Sequence, residues 1–134
     1  MNVRAGIVVC LALACAGASP AAALERDVPA NQKFVIKLQQ AVRANDRTWL
    51  ADHMRYPVRY YGRKDRVIRD RAAFISRYRS IFSARLKAGV LAQDPNDLFE
   101  NWQGTMIGGG RIWIRDFGDD LRARYQIITI NDFE

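Results

Sequence analysis

Apolar residues recur at helical spacing near the start of the chain: Phe34, Leu38, Ala41 and Val42 fall on one face, with Lys33, Lys37 and Arg43 largely elsewhere. Asn31 can cap this helix, Gln32 to about Asn45. Asp46 can cap a second, short one through Trp49, Leu50 and Met54, which Pro57 ends. The period then drops to two. Val58 to Tyr61 predicts a strand, Gly62 to Asp65 a turn, and Arg66 to Ile68 a short returning strand. After Asp70 the helical period returns, and Phe74, Ile75, Tyr78, Ile81, Phe82 and Leu86 form a wide stripe. That stripe predicts one long helix, Arg71 to about Leu91, packed on a sheet. Asp94-Pro95-Asn96-Asp97 is a loop, followed by strands over about Phe99 to Ile107, Arg111 to Arg115 and Leu121 to Ile130. Helices first and an antiparallel sheet afterwards argue an α+β fold.

Gly108-Gly109-Gly110 next to Arg111 raises the question of a phosphate cradle. A Walker-type loop needs Gly-x4-Gly-Lys followed by Ser or Thr, but Gly104 and Gly109 are followed by Gly110 and Arg111. The dinucleotide pattern fails at Trp113, where its third glycine belongs. Either motif must also open a helix, whereas Arg-Ile-Trp-Ile-Arg has the period of a strand. The glycines are read as a hairpin turn.

With Gly108-Gly109 as the turn, Met106 pairs with Arg111, Thr105 with Ile112, and Gly104 lies across from Trp113, an aromatic covering a bare glycine. A second turn near Gly118-Asp119 pairs Trp113 with Arg124 and Ile112 with Tyr125. Alternation then defines two faces. One holds Asn101, Gln103, Thr105, Ile112, Ile114, Ala123, Tyr125, Ile127 and Thr129. The other holds Met106, Arg111, Trp113, Arg115, Arg122, Arg124 and Gln126. The first suits a core that opens into a pocket; the second is basic around one large aromatic and faces solvent. A bulge at any of the glycines swaps part of this assignment.

The chain has 134 residues, 49% hydrophobic and 26% charged, which suits a single domain. Its first 23 residues read as a secretory signal peptide. Arg4 is the positive start, Gly6 to Ala16 the apolar run, and Ala21-Ala22-Ala23 the small-residue cleavage site before Leu24. Ala12-Leu13-Ala14 before Cys15 lacks the leucine that lipoprotein processing uses, so plain export to the periplasm or medium is expected. Residues 24–30 form a flexible leader and 31–134 the domain, with no transmembrane segment. Both cysteines, Cys10 and Cys15, fall in the leader, so the exported domain folds without disulfides and has no thiol chemistry. Removing Arg4 takes the net charge from +7 to +6. Eleven Arg/Lys residues stand between Arg55 and Lys87 against only Asp65 and Asp70. A basic exported protein suits an acidic protein or an anionic envelope component, and not nucleic acid.

Two helices, a strand pair, a long helix and a curved antiparallel sheet make up an order that resembles the NTF2-like (cystatin-like α+β cone) superfamily. The resemblance is carried by "YPVRYYGRKDRVIRDRAAFISRYRSIF" (Tyr56 to Phe82), "NWQGTMIGGGRIWI" (Asn101 to Ile114) and "IITIN" (Ile127 to Asn131). It looks like the small exported bacterial members. It implies a cone enclosing a pocket between sheet and helices, an outer sheet face used for binding or dimerisation, and, in enzymatic members, acidic or histidine residues inside the cone. Fold alone selects none of these.

The only histidine, His53, follows Asp52 on the short helix, where adjacent side chains point about 100° apart; a structural role is expected. One histidine with Asp116, Asp119 and Asp120 at a turn matches neither a zinc site nor an EF-hand, so no metal, cofactor or catalytic set is expected. Asn101, Gln103, Thr105 and Tyr125 are the candidate pocket residues, satisfied either by a ligand or by neighbouring backbone. Trp113 among Arg111, Arg115, Arg122 and Arg124 is the candidate partner surface, or else an Arg–Trp ladder on a solvated sheet. The leading expectation is an exported, non-enzymatic binding or accessory protein of the envelope, with a homodimer through the outer sheet as one use of that face. The alternative is a pocket enzyme of isomerase or hydrolase type.

Overall fold

A computed structural model of the protein describes residues 28–118 and 124–133. Residues 1–27, where the signal peptide and most of the leader are expected, lie outside the described residues, as do Asp119, Asp120, Leu121, Arg122, Ala123 and Glu134. The elements in order are α1 (Ala30–Arg43), α2 (Arg47–Asp52), β1 (Met54–Tyr61), β2 (Arg66–Ile68), α3 (Arg71–Ile81), α4 (Ala84–Leu91), β3 (Phe99–Asn101), β4 (Gly104–Ile107), β5 (Ile112–Asp116) and β6 (Tyr125–Asn131). They make an α+β fold in which helices pack against a six-stranded open sheet of order β2-β1-β6-β5-β4-β3. The sheet is mixed. β1 and β6 run parallel, and the other neighbours are antiparallel. A parallel pair needs a long crossover, which the helices and the β3–β5 meander supply.

Local signals hold where they are local. Asp46 Oδ1 accepts from Trp49 N at 3.0 Å and Asp70 Oδ1 from Ala73 N at 2.8 Å, so both expected caps form. The first helix starts earlier than expected, at Ala30 behind Pro29, with no side-chain cap. The second ends at Asp52, and Pro57 lies within β1. β1 begins at Met54 because its alternation does: Met54, Val58 and Tyr60 are buried, and Arg55, Pro57 and Arg59 are exposed.

The expected long helix from Arg71 to Leu91 is two helices. It breaks at Phe82, and Ser83 caps α4 by accepting from Leu86 N at 3.1 Å while donating to Asp132 Oδ1 at 3.0 Å. The break serves packing, since α3 lies on α2 and α4 lies on α1. Ser83→Ala removes the cap, and a loss of about 1 kcal/mol is expected in equilibrium urea unfolding.

The expected strand Phe99 to Ile107 is a hairpin. β3 turns at Trp102-Gln103 into β4, and Asn101 Oδ1 accepts from Gln103 N at 2.8 Å, the local bond that favours Asn before a turn. Register also differs downstream. Thr105 pairs with Ile114 rather than Ile112, a slip of two residues, so the turn spans Gly108 to Arg111. Gly104 therefore does not face Trp113. Asp116 pairs with Tyr125, a slip of four at the next hairpin. Slips of even number leave the inner and outer alternation of β4 and β5 as expected. The register then shifts by one between Trp113 and Ile114, where Trp113 pairs with Thr129 and Ile114 with Ile127. That bulge moves Thr129 to the outer face and Ile130 into the core.

The core joins the sheet's inner face (Met54, Val58, Ile107, Ile112, Ile114, Ile127, Ile130) to Val35, Leu38, Leu50, Phe74, Phe82, Leu86 and Val90 from the helices. Tyr56 sits at its margin and its hydroxyl donates to Ala51 O at 2.8 Å, tying β1 to α2. Burial pushes the Tyr56 phenol up to about 12, against the lowering influence of Arg71. Because the folded value lies above the unfolded one, this contribution to stability is complete below about pH 10 and is lost as pH rises from 10 to 12. Tyr60, Tyr78 and Tyr125 are raised by burial with the same sign. Unfolding midpoints measured from about pH 9 to 12 fall steeply in the wild type and less steeply in Tyr56→Phe.

Candidate functional site

The helices cover one face of the sheet. On the other, strand pairing lines up a row across all six strands: Val67, Arg59, Thr129, Trp113, Met106 and Phe99 are successive cross-strand neighbours. Five strand spacings make this row about 24 Å long. Val67 and Phe99 are each more than half exposed, and Trp102 at the end of β3 is 86% exposed. Three arginines stand on the same face. Arg59 donates to Tyr61 Oη at 3.3 Å, Arg115 donates to Gln103 O at 3.0 and 3.2 Å, and Arg55 lies 5.0 Å over the Phe117 ring. None of the three pairs with a carboxylate among the described residues.

Of the expected partner surface, Trp113 and Arg115 are on this face. Arg124 is committed elsewhere: its guanidinium grips Asp116 through bonds of 2.8 to 3.1 Å, at the end of the β5–β6 hairpin where the connecting loop leaves β5. Those bonds hold the Asp116 carboxyl below the ordinary carboxylate range. Arg122 lies outside the described residues.

Arg111 turns the other way, toward the helices. A Cβ on Gly89 of α4 would stand 2.4 Å from Arg111 Cδ, so the arginine stem lies in the notch that this glycine leaves. Its Nη1 donates to Gly108 O at 3.0 Å, and its buried Nε has no partner among the described residues. The glycine turn explains the direction. Gly108, Gly109 and Gly110 all have positive φ, and Gly108 rests against the Gly89 backbone. Gly108 N donates to Gln93 Oε1 at 2.9 Å and Gly110 O accepts from Asn131 Nδ2 at 2.6 Å. Buried Gln39 extends the network, donating to Val90 O and Gln93 O at 3.0 and 2.7 Å. The turn's polar groups are therefore directed at α4 and β6, as a structural hairpin requires and a phosphate loop does not.

The four expected pocket residues do not come together. Thr105 is buried on the inner face. The Trp102-Gln103 turn reverses the chain, so Asn101 shares the outer face with Phe99, and Gln103 is exposed in the turn. Tyr125 lies on the helix side with its ring 5.8 Å from Phe34. Between sheet and helices the core side chains of the two layers meet, and the buried polar side chains among the described residues are Gln39, Thr105, Gln126 and Asn131, none of them titratable.

Tyr125 opens instead into a surface hollow of about 280 Å³, lined by Ala30, Lys33, Phe34, Lys37, Trp49, His53, Arg124 and Tyr125. His53 stacks on Trp49 with centroids 3.9 Å apart, and its Nδ1 bonds to Trp49 O at 2.7 Å. Asp52 points away to Arg71, 2.7 Å distant, so the adjacent acid and histidine do not interact. No group of three or more His, Cys, Asp or Glu among the described residues could hold a metal ion. No helix among them is long and apolar enough to cross a membrane.

Against this geometry, comparison with known proteins adds no relative. No family model, curated protein or solved structure matches the chain. Sequence reasoning missed Arg55, Arg59, Val67 and Phe99 on the outer face, and the exposed Trp102 in the turn after β3. The alternation of Met54 to Tyr61 carried the signal for the two arginines, since apolar even positions force odd ones outward.

Proposed function

We propose that this chain is an exported, non-enzymatic NTF2-like binding protein of the envelope, which docks an acidic protein on the outer face of its sheet. The observation that carries the reading is the uncovered row of Val67, Trp113, Met106 and Phe99 flanked by Arg55, Arg59 and Arg115, arginines without carboxylate partners among the described residues. An apolar strip with aromatic anchors and arginines at its margin is the composition of a protein-binding hot spot. The charge selects the occupant. A second copy would bring arginines against arginines, whereas an acidic surface supplies the missing carboxylates and speeds encounter. The apolar strip favours a protein over a polysaccharide. The element order and the small-residue run before Leu24 support the family and the export.

The test is photo-crosslinking in the native cell from a benzophenone amino acid placed at Phe99, with the same group at Arg77 on α3 as control. The expected adduct is one acidic protein, seen from position 99 and not from 77, and reduced about five-fold or more by Arg59→Glu with Arg115→Glu. Both arginines are exposed, and their reversal should alter stability by only about 0.5 kcal/mol. An adduct of two copies of this chain, or none specific to position 99, overturns the reading.

A further inference from the structure

We infer that the hollow between α1, α2 and β6 binds a small planar anion, an aromatic carboxylate. This site shares no residue with the outer sheet face, so it stands or falls separately from the proposed partner.

Its construction begins in α1. Lys33 and Lys37 are one turn apart and flank Phe34, so both ammonium groups rise beside the same ring. Phe34 is the hub of an aromatic cluster, with centroids 5.6 Å from Trp49, 6.0 Å from His53 and 5.8 Å from Tyr125. The tilts of 37° to 52° are those of tilted ring contacts, and all four rings line the hollow, so a further ring placed there would join the cluster in offset or tilted contact. About 280 Å³ lies just under the 300–1,000 Å³ of sites for drug-sized molecules, which limits the occupant to about one ring with a short substituent.

Charge sets the substituent. The side chains of Lys33 and Lys37 have no hydrogen-bond or ion-pair partner among the described residues. His53 donates its Nδ1–H to Trp49 O, so the neutral ring offers no donor to an anion and contributes its ring surface instead, leaving the lysines to hold the charge. Arg124 also lines the hollow, but Asp116 already neutralises it, and that pair presents no net charge to an occupant. A carboxylate held by the lysines, with its ring against Trp49, Tyr125 and the exposed edge of Phe34, satisfies both halves of the site. A neutral ring satisfies only one.

Sodium benzoate and benzamide, which share a ring and differ in charge, are the probes. In a 1H–15N NMR titration of the protein, the Trp49 indole N–H signal, assigned by its loss in Trp49→Phe, should move saturably with benzoate. The Trp102 and Trp113 signals should stay in place. Benzamide should bind about ten-fold more weakly, and Lys33→Gln with Lys37→Gln should reduce benzoate affinity about ten-fold while leaving benzamide unchanged. Unchanged Trp113 signals confirm that the double variant is folded. Equal affinity for the two probes, indifference to the lysine changes, or no movement of the Trp49 signal would overturn the assignment.

Discussion

Gly104→Ala loses about 3–4 kcal/mol of stability in equilibrium urea unfolding, enough to leave a marginal fold largely open. Two effects add. Gly104 has φ +139°, a conformation L side chains rarely adopt, and such backbone strain costs about 1–3 kcal/mol. A Cβ there would also stand 2.2 Å from Ile114 O, which is backbone of the neighbouring strand and cannot rotate aside. Either β4 or β5 must move, and the pair carries Thr105, Ile107, Ile112 and Ile114 of the inner face. The smaller entropy of the unfolded alanine chain returns only about 0.4–1 kcal/mol. Gly118 is the control. It has φ +74° with no atom within 4 Å of a built Cβ, so Gly118→Ala should cost only the left-handed penalty, about 1–2 kcal/mol. Equal losses in the two variants would show that the β4–β5 contact contributes nothing.

Phe74→Ala should cost about 3–5 kcal/mol, by removal of a fully buried ring that its neighbours cannot replace. Phe74 meets Tyr78 and Phe82 edge-on at 6.0 and 5.9 Å, while Tyr78 and Phe82 stack at 5.6 Å. Phe82 stands at the break between α3 and α4, so this trio positions α4 as well as filling space. Tyr78 cannot slide into the void, because its hydroxyl donates to Asn45 Oδ1 at 3.0 Å and Arg47 and Lys87 sit over its ring. Phe74→Leu keeps most of the volume and should lose less than about 1.5 kcal/mol. The comparison is read from denaturant midpoints at constant slope. A changed slope would instead signal a loosened native state.

What could be read from the chain follows from how far each signal reaches. Asp46 and Asp70 cap as expected because a cap involves residues only three apart. The inner and outer residues of β5 follow from its alternation alone, since register slips of two and four are even and the strand period is two. Ser83 could have shown the break in the long helix, since it is a good cap inside a run of helix formers. Asn101-Trp102-Gln103-Gly104 likewise held a turn signal that the surrounding alternation concealed.

By itself, then, the amino-acid order determined the class α+β, the alternating faces of β1 and β5, the hairpin nature of the triple glycine and an excess of positive charge. Each is a property of neighbours along the chain or of composition. Only the tertiary structure decided the parallel β1–β6 pair, the bulge that turns Thr129 outward, the inward course of Arg111 into the notch at Gly89, and the meeting of Phe34, Trp49, His53 and Tyr125. These contacts join residues up to about ninety positions apart. Their geometry depends on how helices settle on a twisted sheet, which no local periodicity encodes.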